Sequence, residues 1–176
     1  MKLHCRLAAA FFTFLLGFTC MPAAKAQVGL YGGFSAANTN IPNSKWLYGT
    51  TFGGYYNALH VPLISLGLDA RVSILDGSNT VNGLAGPRLE LHIPFLKPYI
   101  EGQVGASHIS GGQGVTTFNQ TAFSYGFAAG ADLTILPRID WRVVDYNYIR
   151  TPSVVAGTNQ DVLTTGIVIR LPVPHL

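Results

Sequence analysis

The chain has 176 residues, 11 Lys and Arg against 8 Asp and Glu, and a formal net charge of +3. Lys2, Arg6 and Lys25 fall within residues 1–26 with no acid among them, so residues 27–176 carry eight basic and eight acidic side chains and no net charge. That balance gives no electrostatic case for binding nucleic acid or an anionic surface. With 48% apolar residues, 20 glycines and only 11% charged residues, the composition also excludes a disordered chain.

Lys2 and Arg6 make a positive start, an apolar run follows over residues 7–18, and Ala24-Lys25-Ala26 offers small residues at the two positions a signal peptidase inspects. This predicts a secretory signal peptide over residues 1–26, cleaved before Gln27. The apolar run is too short for a transmembrane helix, which needs about 20 residues. Gly17-Phe18-Thr19 before Cys20 is a poor lipobox. Cys5 and Cys20, the only two cysteines, leave with the signal, so export brings no disulfide framework.

Residues 27–176 suffice for one domain. They hold no run of 18 apolar residues and no helical periodicity; what recurs is a period of two. The first and second predicted strands are 28–36 and 46–56. The third, 64–74, is the cleanest. Ile64, Leu66, Leu68, Ala70, Val72 and Ile74 point one way, and Ser65, Gly67, Asp69, Arg71 and Ser73 the other. Such a length suits a membrane-crossing strand, which needs about 9–11 residues. The fourth, 81–92, contains Pro87, which cannot donate to a ladder, so a bulge or local break is expected there. The fifth is 98–107. The sixth, 121–133, sets Phe123, Tyr125, Phe127 and Leu133 on one face against Ser124, Gly126, Gly130 and Asp132 on the other. In the seventh, 139–150, Ile139, Trp141 and Val143 face outward. Unbroken parity would then send Asp145 and Asn147 outward too, unless a bulge near Val143 and Val144 turns them in or this end already stands above the hydrocarbon. The eighth is 161–171.

The connections alternate between two kinds. Residues 57–62, 93–97 and 134–138 are tight and contain proline; residues 37–45, 76–80, 109–120 and 151–160 are polar and rich in Gly, Asn, Ser and Thr. The outward charge a soluble sandwich requires is missing, so the bulky face is assigned to lipid. The pattern predicts an all-β fold, an eight-stranded antiparallel up-and-down transmembrane β-barrel over residues 27–176. Short turns and both termini would be periplasmic and the longer loops outside. Closure is required because an open sheet edge cannot sit in lipid.

Parity sends Asp69, Arg71, Arg88, Glu90, Glu101, Asp132, Asp140, Arg142 and Arg170 to the lumen. So narrow a barrel is filled by its own side chains, and buried charges must pair. The network therefore reads first as structural glue, with a narrow ion or small-solute pore as the alternative. Trp46, Tyr48, Tyr55, Tyr56, Tyr99, Tyr125, Trp141, Tyr146 and Tyr148 lie near predicted strand ends and suit aromatic belts at the lipid–water interface. His108-Ile109-Ser110 has the His-x-Ser spacing of outer-membrane lipid A deacylases, but a nucleophilic serine needs an acid to orient its base. No Asp or Glu occurs between Glu101 and Asp132. His60, His92, His108 and His175 have no metal-ligand spacing. Gly111-Gly112-Gln113-Gly114 opens no helix and cradles no phosphate. Neither a metal nor another cofactor is expected.

Several stretches resemble one family in order along the whole of residues 27–176. They are Gly86-Pro87-Arg88-Leu89, Lys97-Pro98-Tyr99-Ile100-Glu101 with Val104-Gly105-Ala106, Phe127-Ala128-Ala129-Gly130-Ala131-Asp132, and Trp141-Arg142-Val143-Val144-Asp145-Tyr146. Thr164, Gly166, Ile169 and Leu171 are similar to a barrel-assembly signal, although no aromatic residue closes it. The family is the small bacterial outer-membrane β-barrel proteins, related to the membrane domain of outer-membrane protein A. The resemblance implies an integral outer-membrane location. It also implies contact with outer-membrane lipids and the barrel-assembly machinery, and an extracellular partner reached through the outer loops. No single activity follows. A non-enzymatic structural or surface-interaction role leads, the pore is second, and a hydrolase using His108 and Ser110 or a soluble periplasmic carrier of an apolar ligand come after.

Overall fold

The computed structural model describes residues 27–39, 46–60, 63–76, 80–113, 116–152 and 158–172; the predicted signal segment 1–26 and His175 lie outside the described residues. Eight strands follow in chain order: β1 (Gln27–Thr39), β2 (Leu47–His60), β3 (Ile64–Leu75), β4 (Thr80–Leu91), β5 (Leu96–Gln113), β6 (Thr116–Leu136), β7 (Ile139–Thr151) and β8 (Thr158–Pro172). Each pairs antiparallel with the next, and β1 pairs with β8 from Gln27↔Pro172 to Thr39↔Gln160, closing the barrel.

The alternation read in the sequence is physical. From Ile64 to Leu75 every second residue of β3 is buried and every other one exposed. Outside stand Leu30, Phe34, Phe52, Leu68, Ile100, Val104, Phe127 and Ile167, all largely exposed. Inside, the two largest fully buried side chains are Arg88 and Arg142. This is the reverse of a water-soluble core, and it is what a strand wall needs when its outer face meets lipid.

The interior is layered. Toward the end with the longer connections, Ala37, Leu75, Leu84, Ile149 and Val162 form a buried apolar cluster with Leu47 packed against it. Hydroxyls bridge neighbouring strands around it: Ser35 to Thr51 and Thr164 at 2.7 and 2.8 Å, and Thr51 to Ser73 at 2.8 Å. Across the barrel, Ser124 joins Ser107 and Thr151, each at 2.7 Å. Asn82 donates to Gln160 at 2.9 Å. A charged middle follows, and then the mouth with the tight turns.

Both irregular places have local causes. At Pro87 the β4–β5 register stops at Ala85↔Val104 and resumes with the same offset at Arg88↔Glu101, while β3 still pairs Leu68 with Pro87. Proline lacks an N–H, so the ladder opens on one side only. In β7 the register to β8 jumps from Arg142↔Gly166 to Asp145↔Thr164, so Val143 and Val144 together oppose Thr165. Both valines are exposed, and Asp145 and Asn147 are turned inward at 1% and 2% exposure. The Thr165 hydroxyl donates to the Arg142 carbonyl at 3.0 Å and accepts from the Trp141 indole at 3.2 Å. It thereby ties the β8 residue opposite the bulge to the β7 backbone at the bulge's start.

The residues expected as a loop at 109–120 are mostly strand, because β5 runs to Gln113 and β6 starts at Thr116. The residues expected as a turn at 134–138 reduce to Pro137 and Arg138.

Candidate functional site

Strand parity brings three arginines and five carboxylates into the middle of the lumen. Arg71 on β3 reaches Asp69 at 3.1 Å and Asp145 at 2.9 Å, and also pairs with Glu101. Arg88 on β4 binds Glu90 and Glu101, each at 2.7 Å, and Asp132 at 3.2 Å. Arg142 on β7 binds Asp132 at 2.9 Å and Asp145 at 3.2 Å. Gln103 donates to Glu101 at 2.7 Å. Glu101 and Asp132 thus each bridge two arginines, and Asp145 joins Arg71 to Arg142. The cluster ties β3, β4, β5, β6 and β7 together across the barrel.

Tyrosine rings complete the packing. The Arg88 guanidinium lies 3.7 Å from the Tyr99 ring centre and 4.3 Å from that of Tyr55; the Arg142 guanidinium lies 3.9 Å from that of Tyr31. Desolvated arginines over aromatic faces are worth about 2 kcal/mol each. The Tyr31 hydroxyl donates to Asp69 at 2.8 Å, and the Tyr99 hydroxyl donates to Asp145. Each ring stands opposite a cross-strand glycine: Tyr31 to Gly53, Tyr55 to Gly29 and Tyr99 to Gly130. A Cβ at Gly53 would stand 2.6 Å from the Tyr31 hydroxyl. The absence of that atom lets the ring lie against the wall.

At the mouth with the tight turns, Asp140 accepts from Lys97 and is paired with Arg170, both at 2.8 Å. His92 Nε2 stands 3.3 Å from Glu90 and its Nδ1 3.5 Å from Ser65.

Of the residues assigned to the lumen by parity, Asp69, Arg71, Arg88, Glu90, Glu101, Asp132, Asp140 and Arg142 are buried inside; Arg170 is half-buried at the mouth. The aromatic set divides. Trp46, Tyr48, Tyr56, Tyr125 and Trp141 are exposed on the outer wall. Tyr146 and Tyr148 pack there against Phe127, with centroids 6.4 and 5.5 Å apart. Tyr55 and Tyr99 are corrections: they are 2% and 3% exposed and belong to the lumen, not to a belt. Tyr55 shares its side of β2 with Thr51 and Asn57, and Tyr99 shares its side of β5 with Glu101, so their parity sends them inward. The sequence reading also omits Tyr31, Lys97, Gln103 and Asp145 from the network. Lys97 stands one residue before the predicted start of its strand.

His108 and Ser110 sit on the outward side of β5. The His108 ring nitrogen Nδ1 lies 2.8 Å from the Thr121 hydroxyl across the β5–β6 pair. A hydroxyl therefore engages the ring at a position where an acyl hydrolase uses a carboxylate.

Residues 10–171 match the model of the outer membrane protein beta-barrel domain. No curated protein sequence matches the chain. Among solved structures it is similar to neisserial surface protein A, with a TM-score of 0.57 at 14% identity, covering 85% of this chain and 99% of that one. It is also similar to Ail, the attachment invasion locus protein of Yersinia pestis, with a TM-score of 0.52 at 12% identity over 84% and 99% of the two chains. The N-terminal β-barrel domain of Pseudomonas aeruginosa OprF gives 0.50 at 13% identity over 85% and 100%. Identities at this level speak to the fold alone. The family match spans nearly the whole chain, and the closed wall is apolar outside and charged within; the chain belongs to the outer-membrane β-barrel domain family and is an integral protein of the bacterial outer membrane.

Proposed function

We propose that the barrel is a sealed anchor and that the protein works at the cell surface through its outer connections, as a structural or interaction protein. The observation that carries this reading is the filled interior. Arg71, Arg88 and Arg142 are held by five carboxylates and three tyrosines, and an apolar cluster from Ala37 to Val162 lies between them and the outer end. A solvated ion moving along this axis would have to break pairs costing several kcal/mol each. The lumen network is accordingly read as structural glue, with residues 1–26 as a cleaved export signal.

The variable contact surface is then the outer connections, since loops on a rigid scaffold are where binding concentrates. Ail, whose fold is similar, is an attachment and invasion protein by name and has been crystallised with the heparin analogue sucrose octasulfate. The test is adherence of cells, with and without expression of this protein, to immobilised extracellular-matrix protein and heparin. Replacing residues 40–45 and 153–157 by Gly-Ser linkers is expected to abolish the gain in adherence. Expression that leaves adherence unchanged on every surface counts against the reading.

A further inference from the structure

Charge that balances over the chain does not balance from end to end. Among the described residues, the acids that reach the surface are Asp76 and Asp161, both at the end with the longer connections. At the other end, residues 57–68, 91–100, 133–139 and 166–176 contain no Asp or Glu and contribute Lys97, Arg138 and Arg170. One carboxylate, Asp140, lies among these cations; it is fully buried and already holds Lys97 and Arg170, each at 2.8 Å. Arg138 is exposed, and its side chain has no partner among the described residues. The surface of this end is therefore cationic.

The same turns are apolar where contact with water calls for polar residues. The stretch from Ile64 to Ile74 rises roughly 25 Å at the usual strand tilt, the full height of a barrel's apolar band. Ile64 pairs with Leu91, so Ile93 and Phe95 stand past the edge of that band. They are nevertheless 51% and 72% exposed, and Leu63, Ile135 and Leu136 are largely exposed too. Backbone bonds join these turns into one rim. The His92 N–H donates to the Leu63 carbonyl at 2.8 Å, and the Thr134 N–H to that of Phe95 at 2.9 Å. The Arg170 N–H donates to the Arg138 carbonyl at 2.8 Å, which sets both arginines at the turn that carries Leu136. A contiguous apolar patch left exposed marks a contact surface.

We propose that this rim is a binding surface for anionic phospholipid. Ile93, Phe95, Ile135 and Leu136 sit among the glycerol and upper acyl groups, and Arg138 and Arg170 take the phosphate. Long arginine stems lie along apolar surface while the charged head reaches outward. The apolar rim decides for a lipid over a free phosphate. The lack of surface carboxylates decides for an anionic headgroup over a zwitterionic one. A cation at a membrane surface gives roughly a fivefold enrichment of anionic lipid. The surface needs neither the sealed lumen nor the outer connections.

Trp141 is exposed on the outer wall, three residues after Arg138, and reports on this end; the other tryptophan, Trp46, is at the opposite end. The experiment uses the folded Trp46→Phe barrel in phosphatidylcholine vesicles. A minor fraction of the lipid is brominated phosphatidylglycerol or brominated phosphatidylcholine, and bromine quenches tryptophan on contact. Phosphatidylglycerol is expected to quench Trp141 equally at roughly a fifth of the brominated fraction that phosphatidylcholine needs. Arg138→Gln/Arg170→Gln, with its heat-dependent gel shift intact, is expected to lose the preference. Arg138→Gln alone changes an exposed side chain, leaves the fold in place and is expected to lose most of it. Equal quenching by the two lipids, or a preference that survives in the variants, overturns the proposal. So does an equal preference at Trp46 in the Trp141→Phe barrel. A preference abolished by inorganic phosphate, but not by sodium chloride of equal ionic strength, makes this a free-anion site and overturns the proposal as well.

Discussion

Tyr99 and Gly130 face each other across the β5–β6 pair, and a Cβ on Gly130 would stand 2.5 Å from the Tyr99 hydroxyl. The missing side chain is what seats the ring beneath Arg88. Gly130→Ala must displace both the ring and the backbone carbonyl oxygen of Val144, 2.6 Å from the same point. A loss of about 1–3 kcal/mol is expected, typical of overpacking. Gly102 and Gly83 have nothing within 4 Å of their Cβ positions, so alanine there should leave stability unchanged. Urea unfolding in detergent, followed by tryptophan fluorescence, compares the three; equal effects would show that the seat does not matter.

Arg88 contributes to the fold through its partners. Arg88→Ala strips Glu90, Glu101 and Asp132 of one cation each and opens a gap beside Tyr55 and Tyr99. Breaking a buried pair from one side costs about 3–5 kcal/mol, so the variant is expected to unfold at markedly lower urea or to fail to assemble. Arg150→Ala alters an exposed residue and should stay within about 0.5 kcal/mol of wild type. Equal midpoints for the two variants would contradict a structural role for the lumen network.

The β7 bulge makes an asymmetric prediction. Val143 and Val144 share one partner, Thr165, so deleting Val144 restores a continuous ladder and leaves Asp145 inside. A barrel that still assembles and shows the heat shift is expected. Inserting an alanine after Val144 instead drives Asp145 and Asn147 toward the lipid face, away from Arg71 and Arg142, and assembly should fail. Assembly yield in the outer-membrane fraction reads both; the reverse ranking would place the bulge elsewhere.

The His108 contact carries its own expectation. With the ring held by Thr121, expression should leave the acyl chains of lipid A unchanged, and His108→Ala and Ser110→Ala should behave like wild type. Mass spectrometry of lipid A is the readout. Loss of one acyl chain on expression, abolished by either substitution, would show a hydrolase.

The wall was legible because lipid leaves a strong mark on sequence. Ile64 to Leu75 alternates without error, and the displaced parity of Asp145 pointed to a bulge at Val143 and Val144 as one of two readings, the one the β7–β8 register bears out. The outer ends of β5 and β6 were not legible. Above the hydrocarbon neither face must be apolar, so residues 109–120 read as loop, while Ile109 to Gln113 pairs with Thr116 to Gln120 as strand. Within the lumen, charged residues stand out by type, but tyrosines suit both belt and interior. Parity separates them: Tyr55 and Tyr56 are neighbours and cannot face the same way, and the inward one is opposite Gly29. The cross-strand glycines at 29, 53 and 130 are a signal that single-strand reading overlooks, since register is needed to see them. The inward turn of Asp145 was open in the sequence, but its place in the network was not, because its partners Arg71 and Tyr99 are on other strands.

Single-channel recording in a planar bilayer tests the sealed lumen most directly. Purified barrel with an intact heat shift should insert and pass no current steps across a wide voltage range. Reproducible ion-selective steps that vanish in Arg142→Ala or Glu101→Ala would contradict a sealed anchor and make the charged lumen a conduction path.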